Sequence, residues 1–341
     1  MASIDLHTAA RAGTLSAIPR ELLSLENLSS PNSSGHTPIH VAARYGGLED
    51  LPRELVTTSL LCLRNDAGYT PVHQAAIGGH LNQLPPGFLT RDVLLERSNA
   101  GYTVYHLAAA HGCIEQIPPE YLTPDLCQLK NDLGNTLLHD AAENGRFSDL
   151  PLRMIDRRAL HIRNISGETV FHVAALNGHL DQLPPEEITQ EALVELTNSG
   201  DTVIHAAAIA GHLAQIPTRF LTTSNLALMT KTGFTTIHAA AETGQLSAIP
   251  LRFLSPQLLL IQNDNGDTPL HAAAYEGHLK QVPAELLTFE ALMTRNNHGT
   301  TVGALAIQQG YAEHLPEQFR PKNSKVRSFL ENIGLSKPPF V

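Results

Sequence analysis

Eighteen histidines stand out among the 341 residues, because imidazole binds metals, shuttles protons and acts as a general base. Eight of them, His40, His73, His106, His139, His172, His205, His238 and His271, recur every 33 residues, and His7 continues the series backwards. Ligands to one metal must each lie within about 2.0–2.1 Å of it, whereas equivalent residues of stacked layers stand on the order of 10 Å apart. One histidine per layer makes no cage, so no metal site is expected, and each imidazole should bond a threonine or a backbone carbonyl instead. Cys62, Cys113 and Cys127 form neither a Cys-x-x-Cys pair nor an even framework, which points to free thiols and a cytoplasmic location. The candidate nucleophiles recur with the same period as the histidines, and a property shared by eight layers is architectural. No Gly-x4-Gly-Lys-Ser/Thr phosphate loop occurs. Neither enzymatic activity nor a cofactor is expected. Arg153, Arg157, Arg158, His161 and Arg163 make a basic run in one unit, expected as a solvated, ion-paired face and not an anion site.

The elements that position these residues follow from the period itself. Gly35, Gly68, Gly101, Gly134, Gly167, Gly200, Gly233, Gly266 and Gly299 are spaced by 33 residues without insertion, each followed two positions on by Thr. Glycine supplies the positive φ of a turn, and Thr is an N-cap for a helix that begins immediately after it. Pro38, Pro71 and Pro269 then fall at the first helical position, where a missing N–H costs nothing. Paired alanines such as Ala75-Ala76 and Ala174-Ala175 leave one helix face flat enough for close stacking. Each unit also carries a proline seventeen residues after its glycine, from Pro52 to Pro316. A helix-interior proline costs about 3 kcal/mol or more, so the following helix is expected to stop and restart there. A third short helix should follow, capped by Thr as in the segments at 122–126, 188–192 and 287–291.

The runs Gly-His-Thr-Pro-Ile-His-Val-Ala-Ala at 35–43 and Gly-Asp-Thr-Pro-Leu-His-Ala-Ala-Ala at 266–274 closely resemble the ankyrin repeat, and the resemblance extends over most of residues 1–320. It implies an all-α dominated repeat solenoid, an ankyrin-like stack of 33-residue units with hairpin fingers and short, broken second helices. In that family the matching histidine ties the finger to the helix, a role the resemblance extends to His40 through His271. The organisation expected is an N-terminal capping repeat at 1–34, eight repeats at 35–298, a degenerate C-terminal capping repeat at 299–320 where the histidine is lost, and a helix or tail at 321–341. Leu51, Leu55, Leu60, Leu63 and Asn65 also suggest a leucine-rich repeat, but the Thr and Ala-Ala ladder has no place in a leucine-rich horseshoe.

Function in such an array should reside where the framework leaves freedom. The resemblance places six offsets of each unit on the fingers and inner helix face. Ten acids occupy them (Asp66, Asp132, Asp140, Glu143, Glu168, Asp201, Glu242, Asp264, Asp267 and Glu276) against two bases, Arg44 and Lys231. Most of the formal charge of -10 is thereby concentrated on that face. The sign excludes a phosphate-neutralising role, and neither a nucleic acid nor a membrane partner is expected. Tyr69 and Tyr102 hold equivalent finger positions in adjacent units, with Ile77 and Leu107 on the helices behind them. Together with Asp66, Asp132, Asp140 and Glu143 they form the expected partner-binding patch, since aromatic and aliphatic side chains with an acidic surround make an interaction surface. The expectation is a monomeric, non-enzymatic scaffold for a protein or peptide with basic and apolar features. A structural spacer is the alternative, and an ordinary adaptor is not separated from an effector delivered into another cell.

Overall fold

The computed structural model describes residues 5–320; the expected helix at 323–333 lies outside them. The chain divides into two compact units, the first ending at Val170 and the second beginning at Phe171. Each is an all-α repeat stack.

Every repeat opens with an inner helix, as at Pro38–Tyr45, Pro71–Gly78, Val104–Ala110 and Leu137–Glu143 in the first unit and Val203–Ile209, Thr236–Glu242 and Pro269–Glu276 in the second. The start is fixed by the threonine: in Thr70, Thr202, Thr235 and Thr268 the hydroxyl accepts the backbone N–H of the histidine three residues on. Consecutive inner helices pack along their alanines. Ala42, Ala43, Ala75, Ala76, Ala141, Ala142, Ala207, Ala208, Ala240 and Ala273 are all fully buried, so the helices approach as closely as a methyl group allows.

Where an uninterrupted second helix would run, the chain makes two single 3-10 turns with a proline between them. Leu81–Gln83, Ile114–Gln116 and Leu213–Gln215 are such first turns, and Arg53–Leu55, Pro119–Tyr121 and Thr218–Phe220 such second ones. The proline lies just outside the second turn instead of opening it: Pro52 has φ -54° and ψ 130°, and Pro217 -56° and 127°. The residue before it is extended as well, Ile117 at ψ 135°, as the proline ring demands of its predecessor. The short third helix follows as expected. Thr189 and Thr288 accept from Ala192 and Ala291, while Thr123 makes no cap bond and its segment, Pro124–Gln128, winds as a 3-10 helix. Asp156 substitutes for the capping Thr and accepts from the Arg158 N–H.

The fingers are shorter than hairpins. Among the described residues antiparallel pairing is limited to single bridges such as Lys130 with Thr136 and Met229 with Thr235. The intervening residues are consumed by a side-chain turn, in which Asn131 Oδ1 accepts the N–H groups of Leu133 and Asn135. Asn65, Asn263 and Asn296 do the same in their own repeats. Adjacent fingers are joined by a backbone bond, Asn99 N–H to Ala67 O and Asp264 N–H to Thr232 O, each 3.0 Å. Gly68 has φ +78°, and a Cβ there would lie 2.7 Å from the Asn99 amide nitrogen.

Candidate functional site

The histidine ladder is structural in detail. In seven repeats the Thr hydroxyl lies 2.7 to 2.9 Å from Nδ1 of the histidine, and the Thr backbone N–H donates to the same nitrogen at 3.1 to 3.3 Å. Nδ1 is therefore an acceptor and the proton sits on Nε2. In His40 and His238 that N–H reaches forward into the next repeat, to Tyr69 O and Asp267 O at 3.0 Å each, while His73 donates to Glu96 O at the end of its own repeat at 3.1 Å. His106 and His205 aim theirs at the Asn135 and Phe234 carbonyls in looser geometry. Burial lowers the imidazoles of His40, His73, His106 and His238 to about 4. They are neutral cross-links between layers. Among the described residues no three His, Cys, Asp or Glu side chains converge on a common point.

What the ladder leaves over gathers at two places. In the first unit, Tyr69 and Tyr102 rest their rings on the ladder histidines of their own repeats, with centroids 5.6 and 6.0 Å apart. The rings are thus anchored at their inner edges while remaining partly exposed. Asp140 and Glu143 lie on the inner helix Leu137–Glu143. Burial first, then Asp140, Tyr69 and Glu143, push the Tyr102 phenol up to about 12, so all three act on its hydroxyl. Ile77 is half-buried and Leu107 buried on the neighbouring helices Pro71–Gly78 and Val104–Ala110. Asp66 and Asp132 remain exposed in the finger turns. Asp132 is paired there with Arg97 at 3.0 Å, so it serves the stacking of fingers.

Asp140 differs from the other acids. It is 3% exposed, and its Oδ2 is shut off from solvent without a hydrogen-bond partner. Burial, with Glu143 second, raises its carboxyl well above the usual range. Counting its offset as freely variable missed this. The signal was in the register: the same position holds Val41, Leu107, Val173, Ala206, Ala239, Ala272 and Leu305 elsewhere, with the neutral Gln74 the one other polar residue, so Asp140 is an acid at a mostly apolar position.

In the second unit a groove of about 360 Å³ runs beside Phe234, Glu242, Asp267, Tyr275 and Glu276. Its lining holds the Phe234 and Tyr275 rings, three carboxylates and the ladder imidazoles of His238 and His271, with no Lys or Arg. Asp267 accepts from Asn296 Nδ2 at 2.8 Å. A groove of about 320 Å³ at the start of the first unit has the opposite character, with Arg11, Arg44 and Tyr45 and no carboxylate; Arg11 sits 5.5 Å above the Tyr45 ring. The two grooves, each within its own unit, differ in sign.

These features define a stacked-repeat protein with an open side-chain face and a neutral hydrogen-bonded spine. Residues 265–296 match the family model for the Ankyrin repeat, in the same register as the other copies. The described chain is an ankyrin-like stack of such units, in which a proline stands where the second helix of each would run uninterrupted. No curated protein matches it. Among solved structures, one chain of a complex between a predatory endopeptidase from Bdellovibrio bacteriovorus and an immunity protein is similar at 23% identity, over 53% of this chain and 97% of that chain, with a TM-score of 0.41. Among the described residues no helix is long and apolar enough to cross a membrane.

Proposed function

We propose that the chain is a non-enzymatic protein-binding scaffold whose finger and inner-helix face takes a segment bearing basic and apolar side chains. The observation that carries this reading is the pairing of aromatic rings with unpaired carboxylates at two separate places, Tyr69 and Tyr102 with Asp140 and Glu143, and Phe234 and Tyr275 with Glu242 and Glu276. Rings supply area for apolar contact, and carboxylates without a counter-ion select against acidic partners. Nothing in the ladder requires these residue types at these offsets, because other repeats fill them with Ala, Ile or Asn.

Selection of random-sequence peptides displayed on phage against the intact chain tests it. The selected peptides should be enriched in Arg or Lys next to aliphatic or aromatic residues, and their affinity should fall as salt rises. The Tyr69→Ala/Tyr102→Ala double variant should lose about 2–4 kcal/mol of that affinity. A selected pool no more basic than the starting library, or binding indifferent to both the tyrosines and the acids, would overturn the reading.

A further inference from the structure

Asp140 is an expensive residue to bury and has no employment inside the fold. Its helix neighbours in register are apolar, its Oδ2 accepts no hydrogen bond, and among the described residues no Lys or Arg forms an ion pair with it. A buried carboxyl without a partner costs stability whether it is charged or neutral, and an alanine, valine or leucine at this position serves most other repeats without that cost. The residue beside it on the helix surface, Glu143 at i+3, repels it further. Glu143 is exposed, so the pair presents one carboxyl at the floor and one at the rim. Tyr102 stands over them, its ring fixed edge-on against His106 and its hydroxyl without a hydrogen bond in the structure.

Resting on the protein-binding reading above, we propose that Tyr102, Asp140 and Glu143 form the pocket for one basic side chain of the partner, with arginine favoured. A guanidinium brings several donors in one plane and can satisfy the buried Asp140 Oδ2 and the rim Glu143 together. The Tyr102 face adds a cation–π contact to a cation that has already shed water. Leu107, buried on the adjacent helix, borders the aliphatic part of the incoming chain. Entry of the cation stabilises the carboxylate of Asp140 and offsets the burial that disfavours its charged form. The acid that is a defect in the free chain becomes satisfied only in the complex.

The pocket is tested without knowledge of the partner, using n-butylguanidinium chloride as probe and N-butylurea as its neutral counterpart, on the full chain at pH 7. Asp140 side-chain carboxyl and Leu107 methyl resonances are followed by NMR. Butylguanidinium should shift both the Asp140 carboxyl carbon and the Leu107 methyls, while N-butylurea should shift neither. Asp140→Asn should weaken butylguanidinium binding at least tenfold and unfold at the same or a higher temperature than the wild type. Equal shifts from urea and guanidinium, an Asp140 carboxyl that stays put at saturation, or undiminished binding by a folded Asp140→Asn chain would each refute the pocket. The carboxyl readout uses wild-type protein and decides the matter even if the variant fails to fold. Because no selected peptide is involved, a failure here leaves the broader reading standing, and peptides that bind elsewhere leave this one standing.

Discussion

A single histidine shows how this chain spends its polar residues. Nδ1 takes two hydrogen bonds from Thr, and Nε2 gives one to the next repeat, so the imidazole has no lone pair or proton left for chemistry. The spacing argument against a metal cage anticipated this arrangement; what it could not supply was the tautomer, which depends on the Thr N–H reaching Nδ1. The consequence is a pH dependence. In the native chain four ladder histidines are lowered to about 4, whereas in the unfolded chain they titrate near ~6.5. Between those values the unfolded state binds more protons. Stability is therefore complete above about pH 6.5, falls as the pH drops toward 4, and stops falling below it. Each histidine contributes on the order of 3 kcal/mol, enough together to rival the whole stability of a domain. Urea midpoints should be level from pH 8 to 7 and drop steeply from 6 to 4.5; level midpoints throughout would contradict the neutral spine. The thiols offer a second check. Burial pushes Cys113 and Cys127 up to about 11, while Cys62 is exposed. Iodoacetamide should label Cys62 first in the folded chain and reach the other two only on unfolding.

At the scale of the element, the informative departures from the familiar repeat are made by proline and glycine. The prolines were legible as helix breaks because nine of them keep one register. Their placement just before the 3-10 turn was not, because it is set by the extended residue that precedes each of them. The Asn turn of the finger could have been read from Asn65, Asn131, Asn164, Asn263 and Asn296, each three residues before its glycine. Ser98, Thr197 and Thr230 obscure the pattern by type, though their hydroxyls accept the same N–H. Gly68→Ala should destabilise by more than about 1 kcal/mol, since it combines a φ of +78° with a collision against Asn99. Ala240→Leu should cost roughly 1–3 kcal/mol by overpacking a fully buried helix contact. Denaturant midpoints measure both, and an unchanged midpoint for Ala240→Leu would remove the flat alanine face from the account.

For the molecule as a whole, repetition made the fold legible and obscured the site. A 33-residue register identifies every framework residue by recurrence, so whatever fails to recur becomes a candidate for function. That logic located Tyr69, Tyr102, Asp140 and Glu143, which the structure brings together, but it also took in Asp66 and Asp132, which remain in the finger turns. Charge alone does not reveal that Arg97 already holds Asp132. The contrast between a basic groove near Arg11 and Arg44 and an acidic one beside Glu242 and Glu276 was equally hidden, because it depends on which side chains share a groove. The central claim is that partners bind the finger and inner-helix face. Hydrogen–deuterium exchange of the intact chain, with and without a selected basic peptide at saturation, tests it most directly. Protection is predicted at 66–69, 99–107 and 137–143, with the turns that flank the prolines unaffected; protection confined to those turns, or to the basic segment at 153–163, would contradict it.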